Sequence, residues 1–525
     1  MINLKNFPFS LRCPSPIEVL AVAAVMLMVL PWLNPFAPGP SPAVVPLLFS
    51  WICGAILLIV VGVWAPQNLS GSLARTMAMA WLVAGLLSGV IGLLQYFGAA
   101  GSLSPWVNQT RFGEAFANLR QRNQFATLTS IALAALVWVA HQCRLPNEFA
   151  KLSSRRMAWL VMAAGCLLAV GNAVSSSRTG LLQLLLLCGL WIVWGDWSLA
   201  WLKRLLLVLL VAYVSAMFAA PFIAGLELST HGALARMGSD EPCASRLVLW
   251  SNVLHLIAQK PWLGWGWGEL DYAHFITLYN GPRFCDILDN AHNLPLHLAV
   301  ELGVPAALLI CGGFLWWAVR QKPWAERDRT RQMAWAVMAV ILLHSMLEYP
   351  LWYGPFQMAF GACVMLLWRE KHPAERKNNS KKASNWPLAR VLWTQAAIIS
   401  IAFIGYAAWD YHRISQIYLP PESRAAAYRT DTLDKIRSSW LFADQVQFAE
   451  LLTTPLTLAN AVWTFNAAGH LLHYSPEPRV VEKLIESAVM LGKEDDALAY
   501  LARYQAAFPA EYEKWSKANQ SAVKN

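Results

Sequence analysis

The sequence predicts an all-α, polytopic membrane protein with about 11 transmembrane helices, 10 to 13 being compatible, and a carboxyl-terminal helical domain outside the membrane. Three observations predict it. Of 525 residues, 57% are hydrophobic and only 14% charged, whereas soluble domains need about a quarter of their residues charged to keep their surfaces wet. No Asp, Glu, Lys or Arg occurs between Glu18 and Arg75, nor between Arg75 and Arg111. Those stretches have room for about three helices of roughly 20 residues each. Third, Lys and Arg fall on alternate connections. Disorder, a nucleic-acid-binding domain and a secreted disulfide scaffold are excluded, and the net charge of +10 reads as cytoplasmic loops.

Apolar runs bounded by charge, Pro or Gly give spans at 17–33, 43–64, 73–97, 123–141, 157–173, 180–195, 205–225, 294–319, 332–348, 354–368 and 388–409. Lys5 and Arg12 precede the first run as in a signal peptide. No small-residue cleavage site follows and another span comes next, so the run reads as an uncleaved anchor with a cytoplasmic amino terminus. Alternating from there, the cytoplasmic connections carry 21 Lys and Arg and the opposite ones eight. That asymmetry supports an odd span count. The expected organisation is therefore amino-terminal spans over 1–225, a large outer loop with an amphipathic helix over 226–293, further spans over 294–409 and an outer helical tail over 410–525. In the tail, VEKLIESAVMLGKEDDALAYLARY reads as helix, turn at Gly492, helix, resembling one tetratricopeptide-like unit. It serves as a partner-binding element or as a plain cap.

The eight basic residues on the disfavoured side are Arg111, Arg120, Arg122, Arg178, Arg236, Arg246, Lys260 and Arg283. A bound anion would retain them there; ordinary loop charge is the alternative. Four outer segments converge on that side: AFANLRQRNQFATL with Gln121 and Gln124, SSSRTG with Arg178, the long loop from Arg246 to His292, and LEYPLWYGP with Glu348, Tyr349 and Tyr353. Several guanidinium forks at a bilayer surface suit a lipid-linked diphosphate. A neutral His suits removal of a hydroxyl proton. Together they point to glycosyl transfer, with Arg charge on the leaving anion, and call for no cofactor or metal. A metal reading of His292, His297 and Glu301 fails: a helix puts 297 and 301 together and turns 292 away, and no HExxH or Cys cluster is present.

Other signals have simpler readings. Gly264, Gly266 and Gly268 in GWGWG imitate a phosphate loop but lack the strand before and helix after, so a turn with interfacial Trp is expected. Glu301 lies within an apolar run, functional or paired. His344 reads as a hydrogen-bonded core residue. Cys243 and Cys285 share the outer loop and form a disulfide if that compartment is oxidising.

From about Arg178 to Tyr353 the chain resembles the O-antigen ligase and polymerase superfamily, through SSRTG, SRLVLW with KPWLGWGWG, and DNAHN followed by ELG. Closer still, ANLRQRNQFATL, HSMLEYPLWYGPF and the tail's YRTDTLDKIRSSWLF resemble the PglL-type bacterial protein O-oligosaccharyltransferases. The resemblance implies an inner-membrane enzyme that moves a preassembled oligosaccharide from undecaprenyl diphosphate to Ser or Thr of periplasmic proteins such as pilin. It implies His292 as the base, Arg178 and Arg246 on the donor diphosphate, Gln121 or Gln124 as a functional amide, and Tyr349 at the site. Arg120 stands where relatives commonly have Gly, which leaves open which Gln points inward. Ligation to lipid A core or polymerisation of repeat units keeps the chemistry and changes the acceptor. A flippase, in which the same Arg guide a lipid-linked sugar without bond formation, is an alternative of another class.

Overall fold

The computed structural model describes residues 16–64, 69–143, 152–227, 242–369 and 386–524, which contain helices and no strands. Lys5, Arg12, Arg144, Lys151, Arg236 and the basic residues from Lys371 to Lys382 lie outside the described residues. Each expected span has a helix at its place. These are α1 (Pro16–Leu33), α2 (Val44–Trp64), α3 (Leu69–Tyr96), α4 (Arg122–Gln142), α5 (Leu152–Val174), α6 (Arg178–Val193) and α7 (Ala200–Ile223), then, after the outer segment, a helix beginning at Val304, α13 (Arg329–Ser345), α14 (Gly354–Arg369) and α15 (Trp386–Ser415). Among the described residues, six helices are long and apolar enough to cross a bilayer and four more are apolar but shorter. The chain is a multi-pass membrane protein.

α4 is the axis of the bundle. It touches α3, α5, α6 and α13, and almost every residue from Gln124 to Ala140 is buried. Small residues permit this closeness: a Cβ on Gly85 of α3 would stand 2.3 Å from Ala132, and one on Gly180 of α6 would stand 2.7 Å from Ala126. The buried amide of Asn172 on α5 donates to Ala126 O and to Thr129 on α4. Membrane helices cannot leave such groups to water.

One expected span is corrected. The apolar run 294–319 is two helices: α10 (Leu294–Leu302) stops at Gly303, whose φ is +89°. A second helix then starts with Pro305 in its first turn. It runs through α11 (Val304–Ala307) and a π-helical turn at Leu308–Gly312 into α12 (Gly313–Gln321). Packing against the GWGWG turn causes the break. Trp265 N and Gly266 N donate to Val300 O and Glu301 O, and Val304 N donates to Pro261 O, satisfying carbonyls at the end of α10. A Cβ at Gly303 would lie 2.2 Å from Trp262 O, and one at Gly264 would lie 2.3 Å from Glu301 O, so only glycine fits either position. α13 likewise ends at Ser345, short of the expected 348, leaving Glu348 in a connection.

The outer segment carries α8 (Arg246–Gln259) and α9 (Leu270–Ile276), and Cys243 is bonded to Cys285 with Cα atoms 5.4 Å apart. Beyond α15 come α16 (Thr432–Ile436), α17 (Ala443–Thr453), α18 (Ala461–Leu471), α19 (Pro478–Met490), α20 (Glu494–Ala507) and α21 (Pro509–Lys524). α9 adds Phe275 to their core beside Leu451, Leu471 and Leu484. Tyr272 stacks on His473 at 3.7 Å, and Arg503 donates to Ile276 O at 2.9 Å.

Candidate active site

Four connections at one end of the bundle meet at the Glu348 carboxylate. The first is the segment before α4. Gln95 clamps it, accepting from Phe116 N and Ala117 N and donating to Asn108 O and Ala117 O. Asn118 donates to Leu33 O at 2.7 Å, and Arg120 to Pro35 O. Arg120 is left-handed, φ +60°, a conformation that favours glycine. The turn is thus made with Arg in it, and Gln121, the residue before α4, points to the centre: its Nε2 donates to Glu348 Oε2 at 3.2 Å. Asn123 Nδ2 donates to Glu348 Oε1 at 3.2 Å. Gln124 is buried, its Nε2 without a hydrogen-bond partner among the described residues.

The second connection is the tight link between α5 and α6. Ser177 caps α6 by accepting from Gly180 N, and its hydroxyl donates to Asn123 Oδ1 at 2.6 Å. Arg178 follows as the exposed first residue of α6. It therefore stands two hydrogen bonds from Glu348, through Ser177 and Asn123.

The outer segment supplies two groups. Ser245 caps α8 and Arg246 opens it, with Arg246 Nη2 on Glu348 Oε1 at 2.5 Å. Arg246 Nη1 is buried and has no hydrogen-bond partner among the described residues. His292 Nδ1 lies 2.8 Å from Glu348 Oε2, and its ring meets Tyr349 edge-on at 5.1 Å. The backbone holds it there under strain: φ is +50°, with His292 N donating to Asn290 Oδ1 and Trp250 donating to Ala291 O. Asn293 then caps α10 and donates to Met346 O, tying His292 to the Glu348 connection. With Nδ1–H given to the carboxylate, Nε2 is the nitrogen able to take a proton.

Burial acts to raise the Glu348 pKa. The His292 hydrogen bond and charge and the Arg246 charge outweigh it and bring the carboxyl down to about 2. Burial, then Tyr353 and Asp289, push the Tyr349 phenol up, so it stays a neutral donor.

Two expected site residues stand elsewhere. Arg122 pairs with Glu114. Arg283 donates to Thr277 O and His274 O at 2.9 Å each and lies 5.5 Å over Tyr279, fastening the loop after α9. His344 is a buried core residue bonded to Thr127 at 2.9 Å, and His297 faces Glu301 at 3.5 Å. The central carboxylate itself carries no local signature. Glu348 is visible in the sequence only as the acidic residue of LEYPLWYGP, and its partners Gln121 and Arg246 are 227 and 102 residues away.

Three protein families match parts of the chain. O-Antigen ligase matches residues 163–311, which carry Arg178, Arg246 and His292. Protein glycosylation ligase matches 115–139, which carry Gln121 and Asn123. Virulence factor membrane-bound polymerase, C-terminal, matches 332–522, which carry Glu348 and the tail. Among individual proteins, the chain is 24% identical over 249 residues to the ComP-specific O-oligosaccharyltransferase of Acinetobacter baylyi, covering 47% of this chain and 43% of that one. It is 23% identical to the general O-oligosaccharyltransferase of the same species over 75% of this chain and 67% of the relative. It is 28% identical to an O-antigen ligase of Pseudomonas aeruginosa over 58% of this chain and 63% of the relative. The first of these matches thus spans less than half of its relative. The families follow one another along the polypeptide in the order of the segments that meet at Glu348, and the chain is similar to O-antigen ligases over 163–311 and to protein glycosylation ligases over 115–139.

Proposed function

We propose that the protein is a glycosyltransferase that moves a preassembled oligosaccharide en bloc from undecaprenyl diphosphate to a Ser or Thr hydroxyl of a periplasmic protein, pilin-like acceptors included. The single observation carrying this reading is the cluster of His292, Glu348 and Arg246 at 2.8 and 2.5 Å. Glu348 orients the imidazole and steadies the imidazolium. His292 Nε2 takes the acceptor proton, the acceptor oxygen bonds to the anomeric carbon, and the bond from that carbon to the diphosphate oxygen breaks. The electron pair leaves with the diphosphate, whose charge meets Arg246, through its unpartnered Nη1, and Arg178. The scheme uses no metal ion. It places the protein in a bacterial inner membrane, with the Glu348 end and the helical tail in the periplasm, the orientation that the basic residues favour.

A second acceptor is favoured by the match to an O-antigen ligase and to the polymerase family: the same chemistry ending on lipid A core or on a further repeat unit. Expression beside a lipid-linked oligosaccharide pathway separates the readings. Mass spectrometry should find the glycan on Ser or Thr of a periplasmic protein. Glycan on lipid A alone, or lengthened on its lipid carrier alone, would replace the acceptor, and an unaltered lipid-linked glycan would remove the enzyme.

A further inference from the structure

We infer that α8 lies on the bilayer surface, with one face in the lipid, and that this contact sets the depth of the Arg246 guanidinium. One side of α8 is core: Leu249, Asn252, Val253 and Leu256 are buried. The other side presents Leu247, Ser251, Leu254 and Ala258 to the surroundings at helical spacing, with His255 and Gln259 along its edge, and the chain continues the stripe into Trp262 and Leu263. Leu247 is 79% exposed, Leu254 55%, Trp262 77% and Leu263 86%. Scattered exposed leucines need no explanation, but an aligned apolar face ending in an exposed Trp marks a partner.

Continuity with a membrane span identifies that partner as lipid. Val304 N donates to Pro261 O, and Gly303 is seated against Trp262, so the end of the stripe is fastened to the first residues of the span Val304–Ala325. Leu308 and Leu309, in the next turns of that span, are exposed too. Exposed apolar side chains therefore extend from the span through Leu263 and Trp262 to Leu254 and Leu247 of α8, with Ser251 the polar residue among them. Lys260 folds back over the Trp265 ring at 3.9 Å, leaving the stripe itself uncharged. A helix of 14 residues touching the membrane at both ends lies along the surface rather than rising from it. Arg246, at its amino end, then stands at the level of lipid phosphate groups while still bonded to Glu348.

The test places a photo-crosslinking amino acid at Leu247, Leu254 or Leu263 of the full chain, reconstituted in vesicles of phosphatidylethanolamine and phosphatidylglycerol. Asp286, exposed in the same outer segment, serves as the water-facing control. Irradiation should give phospholipid adducts at the three leucine positions in several-fold excess over position 286. Adduct yields no higher than at 286, or crosslinks at 247 and 254 to an added acceptor protein or a second copy of the chain in place of lipid, would overturn the inference. Because the readout is lipid contact, it is independent of whether sugar is transferred.

Discussion

Glu348 is nearly buried and carries a charge that stays in place only because Gln121, Asn123, Arg246 and His292 all reach it. A buried carboxylate stripped of such partners is costly, so the group and its donors stand or fall together. Glu348→Gln keeps the shape and removes the charge. It should leave the protein folded and lower glycan transfer by about a hundredfold to ten-thousandfold, the range set by loss of a carboxylate that orients a catalytic His; unchanged transfer would show the pair to be structural. The lowered pKa has its own consequence. Stability from Glu348 is complete above the ordinary glutamate value near 4.3 and disappears as pH falls towards about 2, because the unfolded carboxyl takes a proton first. Thermal unfolding from about pH 5 to pH 2 should therefore weaken wild type more than Glu348→Gln; parallel loss would contradict the shift. Arg178→Lys retains charge without the fork and should raise the donor KM about tenfold, the cost of one hydrogen bond to a charged group.

At the scale of elements, left-handed non-glycine residues mark the joints of the site: Arg120 before Gln121, Ser176 before Ser177, and His292 itself. Each costs about 1–3 kcal/mol and persists where surrounding bonds over-determine it. Gly303 serves the same end differently, stopping α10 so that the helix capped by Asn293, with His292 just before it, is short and separate from the following span. Gly303→Ala should lower stability by about 1–3 kcal/mol through its φ and its clash with Trp262 O. Gly312→Ala, with no neighbour within 4 Å, should be neutral or slightly stabilising. Equal effects in thermal unfolding would remove the proposed reason for the break. That break was hidden in the sequence because 294–319 is a continuous apolar run. Gly303 and Pro305 were its two visible signs, and hydropathy outweighed them.

Over the whole molecule, hydropathy and the basic residues made the helices legible, because lipid leaves the backbone few alternatives. The donors His292, Gln121 and Arg246 were legible as residue types suited to proton transfer and anion binding. Their acceptor was not: nothing local distinguishes Glu348 from any loop carboxylate, and only folding brings it to partners more than a hundred residues away. Arg122 and Arg283 show the ambiguity of that signal, since the structure pairs them with Glu114 and with backbone carbonyls, which also retain charge on that side. The tail joins the same assembly through α9, whose Phe275 sits in its core while the chain beyond leads to His292. The most direct measurement uses purified protein in vesicles with an undecaprenyl-diphosphate-linked oligosaccharide and an acceptor protein, comparing wild type with His292→Ala by mass spectrometry of the acceptor. Wild type should glycosylate Ser or Thr and His292→Ala should not, with donor binding retained in both. Glycosylation by His292→Ala at the wild-type rate would contradict the account.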